Sequence, residues 1–104
     1  MYPHLAMRDS HRKTLVEHVL ATPGHVSPDQ RRAAFANEGV PAPARALIDK
    51  VAKHAYRVTD EDVAATRENL DEDQVFELVV CAAVGQASRQ LESALAALEA
   101  AAKE

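Results

Sequence analysis

The chain has 104 residues, a formal net charge of −4 at pH 7 and a single cysteine, Cys81. That length suits one domain, residues 1–104, and is short for two. The negative balance argues against nonspecific binding to nucleic acid or to anionic membranes, which needs a basic face, and one thiol excludes an intramolecular disulfide.

Hydrophobic residues make up 47% of the chain, yet aromatics are only 4% and Trp is absent. Much of the apolar content is alanine. Glycine is rare, and the β-branched residues do not alternate, so helices are expected rather than sheet. No apolar stretch is long enough to cross a bilayer, and the N-terminus lacks the apolar segment of a secretory signal. A cytoplasmic protein is the default expectation, and the excess of Arg over Lys with abundant Ala fits a GC-rich bacterial genome. The small basic cluster Arg8, His11, Arg12 and Lys13, and the pair Arg31 and Arg32, read as solvated helix faces.

Five helices are predicted. Residues 1–7 read as a flexible N-terminus. The first helix covers about 8–21, with Leu15, Val16, Val19 and Leu20 at helical spacing. Thr22-Pro23-Gly24 ends it. The second begins at Ser27-Pro28-Asp29-Gln30, where Ser27 caps free amides and Pro28 suits the first position. Gly39 is its stop, and 40–43, Val-Pro-Ala-Pro, is a stiff connector. The third covers about 44–56, with Leu47, Ile48, Val51, Ala52 and Ala55 as its buried stripe. The fourth starts at Thr59 with Asp62 as capping-box partner and ends near Asn69, a residue that tolerates the left-handed conformation. The fifth starts at Asp71 and runs to about Ala102.

This last helix is apolar almost all round from Leu78 to Gly85. Phe76, Val80, Ala83, Ala87, Leu91, Ala94 and Leu98 are expected to form its core stripe. Leu78, Cys81, Ala82 and Gly85 form a second stripe of mostly small residues, expected to lie in a subunit interface. The alternative is that the first two helices wrap it within one chain.

Two segments carry a resemblance. Residues 46 to 63 read Ala-Leu-Ile-Asp-Lys-Val-Ala-Lys-His-Ala-Tyr-Arg-Val-Thr-Asp-Glu-Asp-Val. Residues 69 to 85 read Asn-Leu-Asp-Glu-Asp-Gln-Val-Phe-Glu-Leu-Val-Val-Cys-Ala-Ala-Val-Gly. Together they resemble the C-terminal helices of alkylhydroperoxidase D-like proteins, the carboxymuconolactone decarboxylase superfamily, with Asn69 where the pattern usually has Gly. The resemblance implies an all-α, alkylhydroperoxidase D-like fold and a homo-oligomer, commonly a trimer or a higher assembly. It also implies peroxide reduction or lactone decarboxylation in some members. Redox-active members carry a Cys-x-x-Cys pair, in which one thiolate attacks and the second resolves it. This chain has no such pair, so no catalytic residue carries over.

The remaining candidates are weak. Cys81 sits among apolar neighbours, which raises a thiol pKa and favours a structural role over single-cysteine redox chemistry. His4, His11, His18 and His25 recur every seven residues. On a helix that puts successive rings about 10 Å apart, too far to share one ion. His11 and His18 are therefore weak metal candidates, and no metal or cofactor is expected. Glu17, His18, Lys50 and His54 are acid–base groups near apolar stripes, without a nucleophile to serve. Glu77 reads as exposed or paired with an Arg such as Arg45 or Arg67, with partial burial and a raised pKa as the alternative. The expectation is a noncatalytic homo-oligomeric binding or scaffold subunit, with an unknown protein partner left open. The alternatives are an acid–base enzyme acting on a small carboxylate or lactone through His54 or Glu77, and a single-cysteine peroxidase through Cys81.

Overall fold

The computed structural model describes residues 3–21 and 24–103, with the side chains of 3–9 left aside. Among the described residues it contains five α-helices, one short 3₁₀ turn and no strand. The all-α expectation is met.

α1 spans Pro3–Ala21 and so starts earlier than the expected residue 8; Met1 and Tyr2 lie outside the described residues, as do Thr22 and Pro23 of the expected stop. α2 spans Pro28–Ala36. Its first turn is fixed as the sequence indicates, with the Ser27 hydroxyl accepting the Gln30 N–H at 3.3 Å and Pro28 opening the helix. Its end is set by Asn37, which takes the left-handed conformation (φ 53°) before Gly39 (φ 71°) completes the turn. α3 spans Ala42–His54, two residues earlier than expected, so only Val40 and Pro41 are left as connector and Pro43 sits in the first turn. Ala55 is exposed and opens the 3₁₀ turn Ala55–Arg57 instead of extending the α3 stripe.

α4 spans Asp60–Arg67 behind a complete capping box, with Asp62 N–H donating to Thr59 Oγ1 at 3.2 Å and Thr59 N–H to Asp62 Oδ2 at 2.9 Å. Lys50 Nζ donates to the same Asp62 oxygen at 2.7 Å, which ties α3 to α4. Asn69 keeps a negative φ, so a left-handed stop does not form there. The chain instead leaves α4 through a right-handed Glu68, with Asn69 N–H returning to the Thr66 carbonyl at 3.2 Å. α5 spans Glu72–Ala102, and its box pairs Gln74 N–H with Asp71 (2.8 Å) and Asp71 N–H with Gln74 (3.1 Å).

α5 is the axis on which α1 to α4 pack. Its buried face is Val75, Leu78, Cys81, Ala82, Gly85 and Ser88. These meet Ala34 of α2 and the Ala44, Leu47, Ile48 and Val51 face of α3, with Val26 and Val40 closing the ends. The two stripes of α5 therefore exchange roles. Leu78, Cys81, Ala82 and Gly85, expected in a subunit interface, lie inside one chain; Leu78 and Cys81 are 2% exposed and Ala82 is 0%. The physical reason is close approach: a Cβ on Gly85 would run into the backbone carbonyl of Phe35, so α2 lies directly on this seam. The stripe expected in the core faces outward instead. Phe76 is 67% exposed and Leu98 52%; Ala83, Ala87, Leu91 and Ala94 are also exposed, and Val80 is half-buried. Leu15 of α1, expected in its buried stripe, is exposed too.

Candidate functional site

Where the C-terminal turn of α1, the start of α2 and the first half of α5 converge, a cleft of about 280 Å³ opens. Its apolar wall is Val19, Phe76 and Val80, and its polar groups are His18, Arg31, Glu77 and Cys81.

Glu77 organises this junction. The loop entering α2 presents two successive amides, and His25 N–H and Val26 N–H donate to the two carboxylate oxygens of Glu77 at 2.8 Å each. Arg31 Nη2 donates to the same oxygen as Val26, at 3.3 Å. Arg31 Nη1 donates to the Val19 carbonyl at 3.3 Å. That carbonyl lies in the last turn of α1, where backbone acceptors lack helical partners and the helix dipole favours a cation. One guanidinium thus joins α1 to α5 from a position on α2. Gly24 passes close against the pair; a side chain there would collide with Arg31 Nη2 and the Glu77 carboxylate.

Burial raises the Glu77 pKa, but the His25 and Val26 amides and the charge and hydrogen bond of Arg31 outweigh it. The carboxyl is held below its ordinary range and stays ionised. For Cys81 the balance runs the other way. Burial pushes the thiol up, Arg31 pulls it down and Glu77 pushes it up again, with a net rise. The cleft therefore holds a fixed ion pair and a protonated thiol beside an apolar wall. Both oxygens of its carboxylate are engaged by donors.

Of the sequence candidates, Glu77, Cys81 and His18 come together in this cleft. Glu77 is paired, but with Arg31 rather than with Arg45 or Arg67. Arg45 donates to the Val40 carbonyl, and Arg67 lies 3.8 Å from Glu72. Its pKa falls rather than rises. His54 stands exposed at the end of α3, edge-on to Tyr56 with ring centroids 6.0 Å apart, and does not line the cleft. His11 is exposed on α1, and among the described residues no three His, Cys, Asp or Glu groups converge as metal ligands would.

Two basic groups read as solvated are not. Arg31 is 5% exposed. Arg12 is held against Ser88 and lies 3.2 Å from Glu92 of α5. The Arg8 side chain lies outside the described residues. Register does not single out Arg31: it precedes Ala34 by three, and the exposed Arg32 precedes Phe35 by three as well.

Compared with known proteins, the chain matches no family model, no curated protein and no solved structure. Among the described residues no helix is long and apolar enough to cross a membrane.

Proposed function

We propose that this protein is a noncatalytic, homo-oligomeric binding or scaffold subunit. The observation behind the reading is the state of Glu77. It is the carboxylate of the cleft, and three donors hold it ionised with a depressed pKa. A general base needs an oxygen aimed at substrate and a pKa near the working pH; Glu77 has neither. Cys81, buried with a raised pKa, is a poor nucleophile. The alkylhydroperoxidase D-like ancestry suggested by residues 46–63 and 69–85 belongs to the same proposal, as does a place in a bacterial cytoplasm. Such a subunit keeps the helical scaffold without the cysteine pair.

One observation favours a competing reading. His18 and Glu77 line one cleft, as an acid–base enzyme acting on a small carboxylate or lactone would require. Lactone turnover and thiol-driven hydroperoxide reduction, each measured for the wild type, Glu77→Gln and Cys81→Ala, separate the readings. The noncatalytic subunit gives no turnover above buffer in any of them. Lactone turnover lost in Glu77→Gln, or peroxide turnover lost in Cys81→Ala, overturns it.

A further inference from the structure

We infer that a second copy of this chain pairs with the first through α5, antiparallel, about a two-fold axis passing beside Ala87, and that it roofs the cleft. The inference rests on the homo-oligomeric part of the function proposed above and names its interface.

The outward stripe of α5 is the starting point. Phe76, Val80, Ala83, Ala87, Leu91, Ala94 and Leu98 are exposed, apart from the half-buried Val80, and none is charged. At 3.6 residues per turn all of them fall within about 40° of the direction of Ala87, and the stripe runs for about 33 Å along the axis. The face opposite is the one buried against α2 and α3. A continuous apolar face of this length, free of charge, is what an interface core looks like.

Its spacing suits a second copy of the same helix. Reading outward from Ala87, the stripe residues lie four, seven and eleven positions away in both directions. An antiparallel copy placed on this centre sets Ala87 against the partner's Ala87 and Ala83 against the partner's Leu91. Val80 then meets the partner's Ala94, and Phe76 the partner's Leu98. Small faces large in two of these layers, and alanine at the centre lets the axes approach closely. The stripe averages close to 3.67 residues per turn, so two such helices pair with a slight right-handed supercoil.

The surface of one chain supports the same conclusion. A compact monomer of this mass exposes about 5,700 Å², whereas this chain exposes 7038 Å². The surplus of about 1,300 Å² exceeds the roughly 800 Å² per partner that a stable pair buries. The shape agrees, with a radius of gyration of 15.6 Å against about 13 Å for a compact domain of this length.

The pairing also completes the cleft. Phe76 and Val80 belong both to the stripe and to the cleft wall. In the antiparallel arrangement the partner's Leu98 and Ala94 lie across them, so each cleft is closed by the far end of the other α5.

Cysteine scanning in a Cys81→Ala background tests this. Ala83→Cys, Ala87→Cys and Ala94→Cys are oxidised separately and run on non-reducing gels, with the mass of each measured by light scattering. Antiparallel pairing about Ala87 cross-links at 87 alone, because the two copies of 83 are then about 12 Å apart along the axis and those of 94 about 21 Å, beyond disulfide reach. Cross-linking at all three positions means parallel pairing and overturns the inference. An assembly with an odd number of copies, or an oligomer that does not cross-link at 87, overturns it while leaving the homo-oligomeric reading standing. A monomer overturns both. If the Cys81→Ala background fails to fold, Leu91→Glu in the otherwise native chain replaces it. This exposed substitution should leave a folded protein with the mass of one chain, and an oligomer of unchanged mass would sink the inference.

Discussion

Arg31 and Glu77 meet at 3.3 Å across the junction of α2 and α5, with the arginine side chain 6% exposed and the glutamate side chain 20%. The two are not equivalent. Glu77 accepts from two loop amides as well as from Arg31, whereas Arg31 reaches outward to the α1 carbonyl at Val19. Removing the carboxylate takes the counter-charge from a buried cation and the acceptor from two amides; removing the guanidinium leaves the amides satisfied. Glu77→Ala should therefore cost about 3 kcal/mol, the range for breaking a buried pair, and lower the melting temperature by about 15 °C. Arg31→Met should cost about half as much. Urea unfolding of both variants decides the order, and an Arg31→Met cost equal to or above that of Glu77→Ala would show that the carboxylate is not the organising group.

The same carboxylate gives the stability an acid limb. The folded pKa of Glu77 lies below its ordinary value of 4.5 despite burial. A depressed folded pKa means the stabilisation is whole above the unfolded value and is lost as pH falls through the folded one. Asp62, held down mainly by its hydrogen bond from Lys50, and Asp49, held down mainly by Asn37, shift in the same direction. Stability should thus fall as pH drops below about 4.5. Glu77→Gln should flatten that limb relative to the wild type while lowering the plateau above it. Unfolding free energies from pH 6 to 2.5 test the sign; a limb as steep in Glu77→Gln as in the wild type would assign it to the aspartates alone.

The sequence carried the helices and their caps legibly because those signals are local. Ser27, Thr59 and Asp71 each cap the helix they precede. What it concealed was which side of α5 faces inward. From Val75 to Gly85 nearly every position is apolar, so periodicity singles out no face, and side-chain size points to Phe76 and Leu91. The fold chooses by closeness instead. Ala82 and Gly85 let the α2 backbone lie against α5, and bulk is left outside. The burial of Arg31 is hidden for a related reason. An arginine on a short, polar helix looks solvated until its partner, forty-six residues on, closes over it.

The three glycines sharpen that point, since they differ in what a methyl group would meet. At Gly85 it meets the Phe35 backbone, which has no rotamer to change, and Arg89 donates to the same Phe35 carbonyl at 2.6 Å. At Gly39 it meets nothing, and the cost is the positive φ alone. Gly85→Ala should destabilise by about 3 kcal/mol through overpacking and Gly39→Ala by about 1 kcal/mol through backbone strain. Gly24→Ala should resemble a weakened Glu77 variant, because its methyl collides with the ion pair itself. Thermal melts of the three variants check the ranking; a Gly85→Ala protein as stable as the wild type would mean that α2 does not sit on this seam.

Cys81 offers a way to watch the clamp open. The thiol is 2% exposed and burial keeps it protonated, yet it lies on the cleft wall beside Glu77. If reagent reaches it only when α1 and α2 lift from α5, labelling follows the population of that open state. Glu77→Ala, destabilised by about 3 kcal/mol, should then label about 100-fold faster than the wild type at the same pH. Entry through the cleft gives another pattern, because the thiol's own pKa would control the rate. The Glu77 charge pushes that pKa up, so its loss would lower the pKa and speed labelling only modestly. Maleimide labelling at several pH values, compared with the unfolding free energies of the same two proteins, distinguishes them. A rate that tracks stability places Cys81 in the closed core. A rate indifferent to stability but rising with the thiolate fraction makes the cleft a working passage to sulfur and reopens single-cysteine chemistry.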